Sequence, residues 1–255
     1  MERLKIKYRA IRKSMRLFCK IDWYQTLKIN GKNFDLRDAI KLPLIVFRGY
    51  KVRNFNGSIL FNVPLEFGLV GFGQPYEIFS RTEHTGEAVI SGSVEINGRV
   101  QFGMDTKLFV AKNAKVSFGN INSFATKTQI ICYNKISFGN YVQCGGECVF
   151  VDTNFHDLMD IERQVKLNRV GTISIGDYNY IGIRTIVRSN AITPNHCMIA
   201  SNSLCNKDYR SYGEKILLAG LPINKVKYNI MRDWEGERSD LLKYLTLSFS
   251  LKNKK

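Results

Sequence analysis

The stretch Gly171-Thr-Ile-Ser-Ile-Gly-Asp-Tyr-Asn-Tyr-Ile-Gly-Ile-Arg-Thr-Ile-Val187 has a period of six residues that continues to Cys205. Mostly apolar residues stand at every sixth position: Ile175, Ile181, Val187, Thr193, Ile199 and Cys205. Four places after each of the first five comes a small residue: Asn179, Thr185, Ala191, Cys197 and Ser203. An α-helix repeats about every 3.6 residues and a half-buried strand about every two, so neither explains this spacing. A triangular coil with about six residues on each side does.

In such a coil the middle residue of each side points inward and stacks on its equivalent in the next coil, while each corner takes a small side chain. The sequence therefore predicts an all-β solenoid, a left-handed parallel β-helix, with short helical N- and C-terminal extensions. Looser copies of the repeat stand upstream of the regular region: Arg-Val-Gln-Phe-Gly-Met104, Lys-Val-Ser-Phe-Gly-Asn120, Lys-Ile-Ser-Phe-Gly-Asn140 and Thr-Ile-Ser-Ile-Gly-Asp177. We expect the first three copies to lie about one coil apart.

Three regions follow from this pattern. Residues 1–40 are predicted to form a basic, amphipathic helical extension, residues 41–210 the β-helix, and residues 211–255 a C-terminal cap and helical tail. Between the last two copies of the repeat the spacing roughly doubles, which indicates an irregular, polar excursion over about residues 152–170. This excursion contains His156, and excursions from rigid scaffolds are where functional residues concentrate.

The chain of 255 residues has a formal net charge of +16, which raises the question of a polyanionic partner. Eight cations fall within the first twenty residues, where apolar residues recur at helical spacing. This segment either caps the open first coil or docks on an anionic membrane leaflet. The sequence shows no recognised nucleic-acid-binding module, so we expect no nucleic-acid partner. With no apolar run long enough to cross a bilayer and no signal peptide, the predicted location is cytoplasmic, with the inner face of the membrane as an optional peripheral contact.

The six cysteines show no disulfide-framework spacing, and several fall on inward or corner positions of the repeat. We expect reduced core thiols. Cys144 and Cys148 resemble one half of a zinc site, but no second Cys or His pair stands at the required spacing. No metal site is therefore predicted.

Three motifs resemble the left-handed β-helix acyltransferases, in particular the sugar O-acetyltransferases of capsule and O-antigen synthesis. The first runs from Ile-Cys-Tyr-Asn-Lys-Ile-Ser-Phe-Gly-Asn140 to Phe150-Val-Asp-Thr-Asn-Phe-His-Asp157 and is similar to the coil and catalytic-histidine loop of that family. The second, Ile175-Gly-Asp-Tyr-Asn-Tyr-Ile-Gly182, is similar to the family's Ile-Gly-Asp-Asn-Val-Trp-Ile-Gly. The third, Ala219-Gly-Leu-Pro222, is similar to the Ala-Gly-Asn-Pro turn beside the coenzyme. The likeness covers roughly residues 90–227.

The chain departs from the family pattern at a few positions. Tyr180 replaces the usual Trp, Leu221 replaces Asn, and Ile223-Asn224 replaces Ala-Lys, with Lys225 and Lys227 following. These departures leave the predicted fold unchanged, but they concern residues near the coenzyme.

The resemblance implies direct transfer of an acetyl group from acetyl-CoA to a sugar hydroxyl, with His156 as general base. The imidazole needs a carboxylate that fixes its tautomer, and Asp152 is the first choice among Asp152, Asp157 and Glu147. The predicted coenzyme contacts lie on or after the last regular coils: Gly182, Arg184, Ala200, Asn202, Lys207, Gly220 and Lys225. The resemblance also implies a homotrimer in which each site lies between neighbouring chains, with a sugar or polysaccharide precursor as acceptor.

Two other interpretations remain open at the level of sequence, and a third is disfavoured. N-acetylation of an amino sugar depends less on a base, because a free amine is already nucleophilic. A membrane-docked, non-enzymatic scaffold would make His156 incidental. Zinc-dependent carbonic anhydrases share the β-helix but bind zinc through three histidines, and the separation of His84, His156 and His196 argues against that class. His84 and His196 are interpreted as structural, with His196 at a corner that could face a neighbouring subunit.

Overall fold

The computed structural model describes residues 17–76 and 85–245, with the side chains of residues 243–245 left aside. Three α-helices lie near the ends of this part: α1 (Trp23–Asn33), α2 (Leu36–Ala39) and α3 (Trp234–Leu245). A short 3₁₀ helix covers Arg210–Tyr212. The predicted basic helix within residues 1–20 falls largely outside the described residues.

Short strands make up the rest of the regular structure. The first half of the chain contains β1 (Leu44–Val46), β2 (Tyr50–Phe55), β3 (Ser58–Phe61), β4 (Val70–Phe72), β5 (Gly86–Ile90), β6 (Ser93–Ile96), β7 (Val100–Phe102), β8 (Lys107–Val110), β9 (Lys115–Phe118), β10 (Asn122–Phe124) and β11 (Gln129–Cys132). The second half contains β12 (Lys135–Phe138), β13 (Gln143–Cys144), β14 (Val149–Val151), β15 (Leu158–Asp160), β16 (Val165–Leu167), β17 (Thr172–Ile175), β18 (Tyr180–Ile181), β19 (Ile186–Arg188), β20 (Cys197–Ile199), β21 (Leu204–Cys205), β22 (Ile216–Ala219) and β23 (Asn224–Tyr228).

The strands form three sheets that the chain visits in rotation. Sheet A has the order β1-β4-β7-β10-β13-β18-β20-β22-β23, sheet B the order β2-β5-β8-β11-β14-β19-β21, and sheet C the order β17-β12-β9-β6-β3. Their pairings are parallel except for β22 with β23, which turns back at the end of sheet A. One circuit of the three sheets is a coil, and each strand pairs with its equivalents one coil away. The parallel, sheet-rich part of the predicted fold is thus confirmed.

The core consists of inward side chains stacked from coil to coil. All six residues at the repeat positions from Ile175 to Cys205 are at most 3% exposed, as the six-residue period predicts. Farther upstream the ladder is aromatic, with Phe118 stacked on Phe138 and Phe102 stacked on Phe124. One apolar cluster runs from Ile29 to Ile223, so the coils share a single core.

The corners follow the same period. Where the chain leaves one sheet for the next, residues with positive φ recur every sixth position: Tyr178, Arg184, Asn190, His196 and Asn202. The small residue after each of them is buried, because it turns toward the core: Asn179, Thr185, Ala191, Cys197 and Ser203. The predicted small corner residues are therefore confirmed, and each directly follows a residue whose backbone is in the left-handed region.

Two details differ from the sequence prediction. Lys115–Phe118, Lys135–Phe138 and Thr172–Ile175 pair in register in sheet C, but the first proposed copy contributes Val100–Phe102 to sheet A instead. The true equivalent in sheet C is Ser93–Ile96, which ends in isoleucine, is followed by Asn97, and so lacks the Phe-Gly signature. In addition, parallel pairing continues past residue 210, because β22 joins β20 in sheet A.

Local bonds attach the ends to the coils. Asp22 caps α1 by accepting the backbone N–H of Gln25, and the Asn30 amide both donates to and accepts from the backbone of Leu44. At the other end, the buried Tyr209 and Ile223 belong to the core cluster. Trp234, at the start of α3, packs edge-on against Tyr141 and Tyr178. No helix in the two described stretches is long and apolar enough to span a membrane.

Candidate active site

His156 stands at the base of a hairpin that interrupts the coils between β14 of sheet B and β17 of sheet C. Strands β15 and β16 of this hairpin pair antiparallel, with Leu158 opposite Leu167. The His156 side chain is exposed, and within the described residues it has no hydrogen-bond or ion-pair partner. An accessible imidazole of this kind can exchange a proton with a bound alcohol.

The base of the hairpin is firmly tied to the coils. Gly171 donates its N–H to the Asp152 carbonyl at 2.8 Å, and Asn154 donates to the Arg169 carbonyl at 2.9 Å. The Thr153 hydroxyl accepts the N–H of Phe155 at 3.0 Å. These bonds hold the backbone on both sides of His156, so the imidazole extends from an ordered support.

The excursion is mainly polar in sequence, as predicted, but it is not irregular. It forms an antiparallel hairpin whose large apolar side chains are exposed: Phe155, Leu158, Met159, Ile161, Val165 and Leu167. Charged residues alternate with them in sequence and concealed the strand pattern. The hairpin therefore presents apolar surface directly beside the candidate base.

Asp152, the predicted partner of His156, is fully buried and faces the preceding coil. Its Oδ1 accepts the N–H of Tyr133 at 2.7 Å, and its Oδ2 accepts the N–H of Asn134 at 2.8 Å. The Cys132 thiol lies 3.4 Å from Oδ2. A buried carboxylate with these bonds stabilises the turn at residues 132–134. Its hydrogen bonds within the described chain do not involve His156.

The other two candidate carboxylates also have partners. Asp157 forms an ion pair of 2.7 Å with Lys166 across the hairpin, and the hydrogen bond from Lys166 lowers the pKa of this exposed carboxyl. Glu147 accepts a hydrogen bond of 2.8 Å from Nε of Arg184, which raises the pKa of Arg184. Within one chain, all three carboxylates thus form bonds with groups other than His156.

Four of the predicted coenzyme residues fall on one edge, where the chain passes from sheet A to sheet B: Gly182, Arg184, Ala200 and Asn202. Gly220, in the turn between β22 and β23, lies on the same edge. Successive coils bring them together through backbone bonds. Asn202 donates to the Ile183 carbonyl at 2.9 Å, and Leu204 donates to the Gly220 carbonyl at 3.0 Å. We call this the Arg184 edge. His156 lies at the opposite side of sheet B.

The remaining two predicted residues, Lys207 and Lys225, meet at an aromatic cluster on the last coil. The Lys207 ammonium is 3.3 Å from the Tyr212 hydroxyl. The Lys225 ammonium lies 5.1 Å from the centre of the Tyr212 ring and 3.5 Å from that of Tyr228. Two ammonium groups over phenol rings can attract the phosphates of a ligand while the rings offer stacking surface.

Sequence reasoning missed several residues near these sites. Arg188 donates from Nη2 to the Asn154 side chain at 2.6 Å, which places a guanidinium at the hairpin base. Its position, one residue after the inward Val187 of the repeat, is the signal that could have shown it facing out of the coil. Tyr212 and Tyr228 lie beyond the regular repeat, where the period gives no guidance.

His196 has a structural environment. Its ring stacks on Tyr178 at a centroid distance of 4.7 Å, and Tyr178 stacks on Tyr141 at 4.8 Å. These three rings form a ladder at the corner between sheets C and A. His84 lies outside the described residues.

Five of the six cysteines are buried free thiols. Burial raises the pKa of Cys197 to about 12, and a hydrogen bond with Cys144 lowers the pKa of Cys148. Within residues 17–76 and 85–245, no group of three or more His, Cys, Asp or Glu side chains is arranged to hold a metal ion.

The sequence matches no protein-family model and no curated protein. The structure resembles that of the polySia-specific acetyltransferase NeuO, with a TM-score of 0.54 and 13% sequence identity, covering 83% of this chain and 90% of NeuO. Two other similar structures have lower TM-scores. The polysialic acid O-acetyltransferase OatWY gives 0.41 at 17% identity, with 72% of this chain and 90% of OatWY covered. A mutant of AntD, an N-acyltransferase from Bacillus cereus in complex with dTDP-4-amino-4,6-dideoxyglucose and coenzyme A, gives 0.46 at 13% identity, with 78% and 87% covered.

The likeness to NeuO extends over most of both chains at an identity too low to reveal it by sequence. This chain therefore has the fold of the polySia-specific acetyltransferase NeuO.

Proposed function

We propose that this protein is an acetyl-CoA-dependent O-acetyltransferase whose acceptor is a hydroxyl of a sugar or of a surface-polysaccharide precursor, and that its three sheets close into a left-handed parallel β-helix. The observation that carries the proposal is the exposed, firmly supported His156 on a scaffold with the fold of an acetyltransferase. A crystal structure would test the winding, and the assays below test the activity.

The proposed reaction is a direct transfer without an acyl-enzyme. His156 in its neutral form accepts the hydroxyl proton while the alcohol oxygen attacks the thioester carbonyl. The tetrahedral intermediate then collapses, the C–S bond breaks, and the imidazolium returns its proton to the departing thiolate. A covalent route through the buried thiols finds no support, because Cys144 and Cys148 lie in the core.

For the coenzyme, the Arg184 edge and the Lys207–Lys225 cluster supply the cations that its phosphates require. Arg184 is exposed and shares its charge with Glu147, so its field is partly compensated. The two lysines contact only tyrosines in the bonds described above, which leaves their charge available to a phosphate.

The separation of His156 from the Arg184 edge is compatible with a homotrimer in which sites lie between chains. One strand of sheet B and its flanking corner residues lie between them, roughly 15–20 Å at about 3.3 Å per residue. Acyl transfer needs the thioester within about 3.5 Å of the acceptor hydroxyl, so the arm of the coenzyme must extend from the phosphate-binding cations to a His156 side chain. Packing the His156 side of one copy against the Arg184 edge of the next brings the two halves together, and repeating this contact closes a ring.

A second copy also offers a partner for the imidazole. The three carboxylates nearest in sequence are engaged within their own chain, as described above. In the proposed trimer, the group that fixes the tautomer of His156 therefore comes from the neighbouring copy.

The test is release of free thiol from acetyl-CoA by the purified protein with a panel of sugars, amino sugars and sugar nucleotides. His156→Ala is expected to lower kcat by about 10²–10⁴-fold for a hydroxyl acceptor while coenzyme binding persists. An amine acceptor would depend on His156 far less. Absence of coenzyme binding by the wild type would contradict the proposal and favour a non-enzymatic scaffold.

His196→Gln is the matched control, since His196 is the other described histidine and lies in the ring ladder. It is expected to keep wild-type turnover. Equal losses in the two variants would indicate general damage to the fold instead of a role for His156 as base.

A further inference from the structure

A cavity of about 430 Å³ opens on the hairpin, and its lining includes Asp157, the residue that follows His156. Its lining residues come from the foot of the hairpin and from strand β16: Asp157, Lys166, Leu167, Asn168, Arg169 and Val170. Apart from Asp157, they form one continuous segment that returns from the hairpin tip to the coils.

Two cross-links place this segment opposite His156. On one side of His156, the N–H of Asn154 bonds to the Arg169 carbonyl at 2.9 Å. On the other side, Leu158 pairs with Leu167. Residues 155–157 are therefore spanned by residues 167–169, so the cavity lies next to the backbone that carries the candidate base.

The charges around the cavity do not cancel. Lys166 is paired with Asp157 at 2.7 Å, which leaves no net charge from these two residues. Arg169 is exposed and forms no ion pair within the described chain, although its charge contributes to the lowered pKa of Asp157. Arg188 adds a guanidinium at the same base through its bond to Asn154. The buried carboxylate of Asp152 is directed to the previous coil.

We propose that the acceptor is an acidic sugar, and that Arg169 binds its carboxylate or phosphate so that a neighbouring hydroxyl lies against His156. The inference rests on the proposed function for the role of His156. A guanidinium matches the two oxygens of a carboxylate or phosphate with a pair of parallel hydrogen bonds. The cavity provides room for a sugar ring, with Leu167 and Val170 as its apolar wall.

The charge at the hairpin base favours an acidic sugar over a neutral one. A neutral sugar would leave the excess positive charge at the hairpin base without a partner. An acidic sugar neutralises it, and the contact orients the ring with respect to the base. Arg169 is thus a specificity-determining residue that does not take part in proton transfer.

The test uses a panel of acidic bacterial oligosaccharides, uronic-acid and phosphorylated, each with its neutral counterpart made by carboxyl reduction or dephosphorylation. Binding to the immobilised panel is measured without coenzyme, and kcat/KM is measured with acetyl-CoA. We expect at least one acidic member to bind better than its neutral counterpart. Arg169→Gln should weaken that binding and raise KM by about 10- to 100-fold with little change in kcat. Loss of binding after carboxyl reduction would identify a carboxylate as the bound group, and loss after dephosphorylation would identify a phosphate.

Arg163→Gln is the matched control, because this substitution removes the same charge from the same hairpin. Arg163 is not among the residues that line the cavity. It should leave the preference for acidic members unchanged. Equal effects of the two substitutions, or equal binding of acidic and neutral members by the wild type, would overturn the proposal. Because the binding measurement needs no acetyl transfer, it remains decisive even if the protein proves inactive toward acetyl-CoA.

Discussion

At the scale of single residues, a structural role and a catalytic role of Asp152 predict different effects of its substitution. Its two oxygens accept backbone N–H groups of Tyr133 and Asn134 inside the core. Asp152→Asn places an amide NH₂ against one of these donors, so we expect a loss of about 2–3 kcal/mol in the free energy of unfolding. Denaturant titration measures it. If Asp152 instead orients His156, the variant keeps its stability and loses kcat.

Asp157→Asn is the control for this change. Asp157 lies on the same excursion but is exposed, and its partner Lys166 is a surface residue. Its substitution should leave the unfolding transition close to that of the wild type, because exposed ion pairs contribute little to stability. A similar loss in both variants would show that the hairpin, and not the buried carboxylate, sets the stability.

At the scale of elements, the close approach of successive coils explains Gly182. A Cβ at this position would lie 2.4 Å from the backbone nitrogen of Ser201 and 2.9 Å from the Ile199 carbonyl oxygen. Gly182→Ala should therefore destabilise the fold by about 1–3 kcal/mol, since backbone on the next coil must shift. The midpoint of thermal unfolding checks it. An unchanged midpoint combined with weaker coenzyme binding would instead assign Gly182 to the ligand alone.

Gly31 supplies the opposite case on helix α1. A Cβ there meets no atom within 4 Å, and the residue is exposed. Gly31→Ala is expected to stabilise the protein by about 0.5–1 kcal/mol, because alanine loses less conformational entropy in a helix. The same added methyl group is thus expected to lower the stability of the protein at Gly182 and to raise it at Gly31.

The elements also show what could be predicted from sequence. The inward ladder from Ile175 to Cys205 follows from a strict period, because each coil repeats the same contacts. The copy ending at Met104 was assigned to the wrong sheet, since phenylalanine before glycine occurs on more than one side of the coil. The bonds of Asp152 to Tyr133 and Asn134 were not foreseen, because these partners lie about one coil earlier in the chain. Periodicity identifies the faces of a strand, but it does not identify contacts between coils.

At the scale of the whole molecule, the distance between His156 and the Arg184 edge has a testable consequence. We expect His156→Ala and Arg184→Glu to be poorly active alone and to recover activity when the two chains are co-expressed. In a ring of randomly mixed chains, about one quarter of the sites pair an intact His156 with an intact Arg184 edge. Thiol release by the purified mixed oligomer measures the recovery.

The control is a mixture of the two variants purified separately and combined without subunit exchange. It should show only the sum of their residual activities. No recovery after co-expression would place the whole site within one chain. A particle mass other than three times 29.3 kDa would contradict the trimer itself.

The bond between the Gly171 N–H and the Asp152 carbonyl has a further consequence for the history of the molecule. It brings the two ends of the hairpin together at one corner, so the stacked coils keep their register whatever peptide is inserted there. Lengthening such an insertion adds little closure entropy. The hairpin that carries the proposed acceptor cavity can therefore be exchanged as one short peptide. Ancestors of this chain could acquire new acceptors in this way without a change in the coils that carry the proposed coenzyme residues.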